Sequence, residues 1–360
     1  MGIFLIGSMF MLTEAQSPGG IAPQLWYKAD VITPVSGTVT TWNNSASGSY
    51  NLIQQGGATT VPAYNTSQIN FNPSVRFDGT DDRLFSANVP QNVTTTAAAP
   101  YQTSQYIVYR KLGAGTNPLY SHSDGIGGTW NVGGNSTGGM LITNRNVNTS
   151  TPVANEVRLQ SLNGDSNAAT AYLNGTSMSS TFTGFTAAIG TQNFWVGAQG
   201  ITGFSNSDIA EIVIYNSTQS AGRPQIESYL SLKYGITKSG NYVASNGTTN
   251  YWNATTNTGY NNNITGIARD DNSALYQKQS MSINTGQQIL MGLTGMANTN
   301  TANTGTLTDQ QFLVVGDNGL AKTPSAAISG IAGANFRFAS VWKVQNTGTV
   351  GTGYTNLASS

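Results

Sequence analysis

The feature that most constrains this chain is a succession of short β-branched and aromatic runs, each closed by turn residues. Residues 104–111 (SQYIVYRK), 169–173 (ATAYL), 193–196 (NFWV) and 209–215 (IAEIVIY) are of this kind. Such runs suit a pleated, half-buried surface and are too short for ordinary helices. Their spacing, with Gly, Asn, Ser and Thr between them, is that of a β-sandwich. Asn174-Gly175, between ATAYL and the next run, is a strong hairpin signal. The glycine-rich stretch 125–139 (GIGGTWNVGGNSTGG) reads as loop.

One segment departs from the pattern. In residues 220–235 (SAGRPQIESYLSLKYG), Ile226, Tyr229, Leu230, Lys233 and Tyr234 fall at i, i+3, i+4, i+7 and i+8, one face of a helix. Pro224 suits its first turn and Gly235 its C-terminal end. A single helix after a long run of strands marks a domain end packed on a sandwich. Residues 237–263 are rich in Asn, Thr and Gly, and strand signals then resume at 264–269 (ITGIAR), 288–293 (QILMGL), 311–315 (QFLVV) and 336–344 (FRFASVWKV). A second, smaller β-sandwich-like domain is expected there.

Composition narrows the partners. At 360 residues the chain holds 38% apolar residues but only 8% charged ones, with 15 basic and 15 acidic side chains. A soluble domain ordinarily carries about 25% charged residues. With basic residues this sparse and unclustered, neither a nucleic-acid footprint nor a polybasic membrane patch is present; Arg110-Lys111 reads as a solvated strand end. The chain has no cysteine, which excludes disulfides, thiolate metal sites and thiol nucleophiles. The apolar run 3–12 (IFLIGSMFML) followed by Thr13, Ala15 and Gln16 fits a signal peptide, although no basic residue precedes it. It is too short to span a bilayer. The expected division is 1–17 as signal peptide and cleavage region, 18–237 as the sandwich and helix, and 238–360 as a second β-rich domain truncated at its C-terminus. No membrane insertion is expected after signal cleavage.

The ordered motifs LWYKAD (25–30), TWNN (41–44), NPSVRFDGTDD (72–82), AYLNG (171–175), WVGA (195–198) and IAEIVIYN (209–216) resemble a laminin G-like, concanavalin A-like jelly-roll domain. IESYLSLKYGIT (226–237) is similar to the helix that ends such domains in large surface proteins of the Bacteroidota. ITGIARDDNSALYQKQS (264–280), LVVGDNG (313–319) and VWKVQNTG (341–348) are similar to an uncharacterised β-rich domain that often follows it. The resemblance implies an all-β fold: a jelly-roll sandwich with one C-terminal helix, then the smaller β-rich domain. It also implies secretion to the outer cell surface, commonly by the type IX route, and use in adhesion or polymer binding. The sorting domain expected for that route is missing from this sequence.

Catalysis finds little support in the residues. Glycoside hydrolysis ordinarily needs two carboxylates about 5–9.5 Å apart. The Glu-x-Asp-x-x-Glu motif of jelly-roll glucanases is absent, and the four glutamates are Glu14, Glu156, Glu211 and Glu227. Asp208 and Glu211 come nearest, but their odd spacing on a strand predicts opposite faces. The one histidine, His122, lies in a Ser-His-Ser-Asp run and reads as an exposed loop residue. A triad draws its members from separated segments, and one histidine is a poor start for a zinc site.

Binding remains. Trp130 in the glycine-rich stretch, with Tyr120 and Asn131 close in sequence, is the candidate platform for a polysaccharide or a host or environmental glycan. Trp26, Trp195 and Trp342 lie inside strand runs and read as core. Asp78, Asp81 and Asp82 in VRFDGTDDRLF could supply part of a calcium shell, which takes six to eight oxygens, or could merely cap a turn. Asp270-Asp271 is a similar turn. No cofactor is required by any motif. The sequence therefore points to a non-catalytic surface module for adhesion or glycan binding. A structural spacer and an accessory module of a polysaccharide-degrading enzyme are the alternatives.

Overall fold

The computed structural model describes residues 16–90, 102–113, 118–123, 130–132, 140–142, 145–147, 154–165, 169–182, 191–287, 289–322, 324–327 and 336–351. The expected signal segment up to residue 15 and the last residues, 352–360, lie outside the described residues. Two antiparallel sheets form the first part. At the centre of the eight-stranded sheet, Gln102–Lys111 pairs with Asn206–Tyr215. Val157–Asp165, Ala169–Leu173 and Thr176–Phe182 extend it on one side, and Asn72–Asp78 and Ala63–Ile69 on the other. Leu25–Lys28 completes it beside residues 211–214. The six-stranded sheet runs Thr41–Trp42, Leu52–Gln54, Leu84–Pro90, Thr191–Val196, Tyr120–Ser123, Trp130–Val132.

Alternation along the strands builds the core between these sheets. Val75, Phe77, Ile107, Tyr109, Ile209 and Ile212 point inward and meet Trp42, Leu52, Leu84, Phe194 and Val196. Each such side chain, fully buried, contributes roughly 1.5–3 kcal/mol. The Asn-Gly turn is as expected: Asn174 and Gly175 both take positive φ, 47° and 75°, as a two-residue hairpin loop demands.

The other face of the large sheet carries Trp26, Tyr106, Val108, Leu159 and Val213, and there it meets the helix. The helix, α1, spans Arg223–Tyr234 with Pro224 in its first turn and Gly235 left-handed at its end, as the sequence predicts. The one-face periodicity understates its burial. Glu227, Ser228 and Ser231 are enclosed as well, because a second layer covers the helix from the far side. Tyr242, Tyr251, Trp252, Ile264, Phe312 and Val314 share one apolar cluster with the helix and the sheet.

That second layer is the smaller β-rich part. Its sheet runs Leu275–Gln277, Asn262–Asp270, Gln311–Asp317, Trp342–Thr347, all antiparallel. Two-stranded ribbons flank it, among them Gln279–Met281 with Leu290–Gly292. A separate small core gathers Ile267, Met291, Leu293, Leu307 and Val315. Trp342 is half-buried against that core. The chain is thus all-β with a single helix among the described residues, in the order the sequence implies.

Two glycines show how closely the layers meet. Gly19, at φ 62°, lies in the Pro18–Gly20 turn, where a Cβ would fall 2.6 Å from the backbone nitrogen of Ile226 in α1. Just before it, the Ser17 N–H donates to the Asn272 carbonyl at 2.8 Å. Gly235, at φ 67°, would place a Cβ 2.2 Å from the Met281 carbonyl oxygen. Gly235→Ala therefore combines backbone strain with a clash against the second part, and is expected to lose roughly 2–3 kcal/mol in urea unfolding. A midpoint unchanged from wild type would show that the helix end is not so tightly seated.

Candidate functional site

The segment VRFDGTDDRLF forms strand, turn and strand, and its strands belong to different sheets. Asn72–Asp78 lies in the eight-stranded sheet and Leu84–Pro90 in the six-stranded one, so the turn crosses the sandwich edge. Val75 and Phe77 face the core and Arg76 faces out. Gly79 takes φ 84° against Asn206. The Asp78 carboxylate accepts the Thr80 N–H at 2.7 Å, and Asp82 Oδ2 accepts the Asp78 N–H at 2.9 Å. Arg83 donates to the Asp81 carbonyl at 3.0 Å and to Gln55 at 3.2 Å. Carboxylate oxygens of Asp78, Asp81 and Asp82 lie within 4.8 Å of one another. Burial pushes the Asp82 carboxyl up to about 6, and the neighbouring charges of Asp78 and Asp81 add to this. A cation would relieve that cost, so the donor set fits a hard divalent ion. At the second turn, Asp270 is engaged by Ser245 and Gln310, and Asp271 by Arg269.

Of the platform candidates Tyr120, Asn131 and Trp130, only Tyr120 has a described side chain, and it is not exposed. Tyr120 is a core residue, 1% exposed, whose hydroxyl donates to Gln105 at 2.7 Å. The backbone of Trp130–Val132 is a strand paired with Tyr120–Ser123, with Asn131 opposite Ser121 and Trp130 opposite His122. The side chains of Trp130 and Asn131 lie outside the described residues. His122 is likewise a strand residue and not a loop one. It is 5% exposed with its ring 4.7 Å from Phe194, and burial holds its pKa down at about 3. Trp26 and Trp195 are core, as expected.

Asp208 and Glu211 lie on one face, contrary to the odd-spacing argument. Pairing with Gln102–Lys111 slips between Ile209 and Glu211, leaving Ala210 as a bulged residue. An extra residue restores the same side to positions three apart. Ile209 and Ile212 remain in the sandwich core, and Asp208 and Glu211 both face the helix side. Neither is poised for acid–base work. Asp208 is fully enclosed and chelated by Arg76 and Arg110 at 2.8 and 2.6 Å. Arg110-Lys111 is thus no solvated strand end, and Lys111 is itself 5% exposed. Glu211 takes hydrogen bonds from Trp26, Tyr229, Tyr234 and Lys233.

One open site was not foreseen. A cleft of about 500 Å³ lies between the two parts, lined by Ala154, Asn155, Glu156, Val157, Asn174, Ile283, Asn284 and Thr285. Its walls are held in place. The Asn174 carboxamide accepts the Leu159 N–H at 2.9 Å, and Asn284 donates to Thr237 at 3.0 Å. The Ile283 N–H reaches the Gly235 carbonyl at 3.0 Å, and Glu156 pairs with Arg158 at 2.7 Å. The lining mixes three asparagines and a threonine with Ala154, Val157 and Ile283, and Glu156 is its one carboxylate. Such a surface can exchange hydrogen bonds with a neutral polyhydroxy ligand. The sequence signal was slight: two Asn-containing segments far apart in the chain.

Residues 222–360 match the model of a family described as a domain of unknown function, DUF8202. The match begins at the start of α1 and takes in the smaller β-rich part. No curated protein matches the chain. Among solved structures, a Trypanosoma rangeli sialidase in complex with sialic acid aligns over 57% of this chain and 32% of its own, at 12% identity and a TM-score of 0.41. Domain 4 of AbnA, an extracellular arabinanase from Geobacillus stearothermophilus in complex with arabinotriose, aligns over 48% of this chain and 82% of its own, at 15% identity and a TM-score of 0.35. An arabinofuranosidase complexed with a substituted xylobiose gives 10% identity and a TM-score of 0.39. This chain spans about a third of the sialidases it matches. At such scores these likenesses assign it neither ligand nor reaction.

The acidic turn has a pH signature. Because the folded state raises the Asp82 pKa from 3.8 to about 6, its contribution to stability is full below pH 3.8 and is lost as pH rises through 6. Asp82→Asn keeps an acceptor for the Asp78 N–H and removes the buried charge. It is expected to stabilise the chain by on the order of 1–2 kcal/mol at pH 7.5 in the presence of chelator, and by almost nothing at pH 3.5. Thermal melts at both pH values check this; an equal gain at both would remove the charge from the explanation.

Proposed function

We propose that this chain is a non-catalytic module of a secreted or outer-surface protein that binds a polysaccharide or other glycan in the cleft between its two parts. The observation that carries the reading is the cleft's lining, which combines three asparagines and a threonine with Ala154, Val157 and Ile283 and a single carboxylate. Sugars offer alternating hydroxyl and C–H surfaces, and a mixed lining of this kind complements both. Asp208 and Glu211, the nearest Asp–Glu pair in sequence, are held by the side chains of Arg110 and Lys233, which supports a binding role over hydrolysis. The arginines Arg76, Arg110 and Arg223 are likewise paired with acids, which disfavours a nucleic-acid surface. Among the described residues no helix is long and apolar enough to cross a membrane.

Calcium at Asp78, Asp81 and Asp82 belongs to the same proposal, as a brace for the turn at the sandwich edge. The continuous apolar cluster from sheet through helix to the second part favours one competing role, a rigid spacer that presents other domains.

A glycan array with the recombinant chain, with and without calcium, separates these. Binding to a defined glycan, weakened at least about tenfold by Asn155→Ala with Asn284→Ala, is the expected result, since each lost charge-free hydrogen-bond partner costs about 1 kcal/mol. No binding to any glycan in either condition would leave the spacer. Calcium should raise the melting temperature of wild type and leave that of Asp81→Ala with Asp82→Ala unchanged; no effect on wild type would make the aspartates turn caps alone.

A further inference from the structure

Lys233 on α1 is 3% exposed, and its Nζ lies between two carboxylates. It is 2.8 Å from Glu211 Oε2 and 3.0 Å from Asp30 Oδ2. The two acids are unequal. Both oxygens of Glu211 are engaged by other donors as well: Trp26 Nε1 at 2.6 Å, and the hydroxyls of Tyr229 and Tyr234, each at 2.8 Å. This network occupies both Glu211 oxygens and leaves neither free to depart as water. Asp30, in the Ala29–Val31 turn after the first strand, is open to water on one side, with its side chain 28% exposed. The rings of Tyr229 and Tyr234 lie 5.3 and 5.2 Å from Nζ and shield it on the other. An amine, a carboxyl group at contact distance and a second carboxylate touching the same amine are the parts of an intramolecular amide-forming centre.

We propose that Lys233 and Asp30 become joined by an amide between Nζ and Cγ, an isopeptide cross-link made by the folded chain itself, with Glu211 carrying the proton. The ion pair already contains every atom required. One N–C bond forms, one C–O bond breaks, and one water leaves. Glu211 Oε2 takes one ammonium proton, and the freed lone pair attacks Cγ. A second proton passes along the Nζ–Oδ2 contact to the departing oxygen. Glu211 then returns the first proton to the same oxygen, which leaves as water toward the exposed side. The Lys233–Asp30 pair is neutral before and after, Glu211 ends as it began, and no oxidant or co-reactant enters.

The product suits the site better than the ion pair does. A buried ion pair carries the desolvation penalty of both charges, whereas the amide is neutral and its N–H still faces Glu211 Oε2. The aromatic wall keeps hydrolytic water from the nitrogen side. In a chain without cysteine, the link ties the first strand to α1 as a disulfide would. Because the two acids hold Lys233 protonated, free amine is scarce, and closure is expected to be slow relative to folding.

Intact mass and a tryptic map of the purified full chain, aged at neutral pH, test this. Wild type should be lighter than its sequence by one water. Cleavage after Lys233 should be lost, and a branched product should join peptide 29–76 to peptide 159–238. Asp30→Asn should yield the same branch with loss of ammonia in place of water. Asp30→Ala and Lys233→Met should keep their full masses. Glu211→Gln, checked for folding by circular dichroism, should slow closure at least tenfold; closure at the wild-type rate would remove Glu211 from the mechanism. Full wild-type mass with normal cleavage after Lys233 would overturn the proposal. So would a water loss that maps elsewhere, for instance to an imide at Asp78-Gly79.

Discussion

The buried carboxylate of Glu211 is the point on which the rest of the structure turns. It is fully enclosed and accepts from four donors, one on the first strand and three on α1. A buried charge is tolerated only when it is paired and fully hydrogen-bonded. Here the requirement is met by groups that exist in this arrangement only if the helix lies on the sheet in one orientation. Slipping the helix by a turn would leave Glu211 without its tyrosines and Lys233 without its acids, at a cost of several kcal/mol. The bulge at Ala210 is what points Glu211 to this side.

Neutral amides continue the same logic into the second part. Asn70 and Asn72 both donate to the Lys233 carbonyl at the end of α1, at 3.0 and 2.8 Å. Asn70 also bonds Ser280 and receives the Met281 N–H, and Asn72 bonds Gln277. The sandwich, the helix end and the second part thus meet in a closed polar network above the shared apolar cluster. This accords with a composition poor in charge and rich in Asn, Ser and Thr. Amides satisfy buried backbone groups without the desolvation penalty of ions.

Local signals were legible wherever a residue's own conformation set the structure. Pro224 and Gly235 bounded the helix, and Asn174-Gly175 gave the hairpin. The failures share a cause: they depend on partners distant in the chain. The bulge at Ala210 is one extra residue, invisible to alternation until the neighbouring strand is known. His122 looked like a loop residue because glycines follow it, and Tyr120 like part of a binding platform, yet their strand pairs with Thr191–Val196 and both side chains are buried. The two-sided burial of α1 was hidden because Ser228 and Ser231 look like a solvent face. The cleft joins segments at 154–157 and 283–285, which no local pattern links.

Sandwich, helix and second part are thus held as one cooperative body at Glu211 and α1. Native-state hydrogen exchange tests it most directly, by comparing amides in Asn206–Tyr215, in Arg223–Tyr234 and in Gln311–Asp317. In one cooperative body the slowest amides of all three exchange with one opening free energy, equal to that of global unfolding. Exchange of Gln311–Asp317 through an opening several kcal/mol cheaper, while Asn206–Tyr215 stays protected, would contradict it.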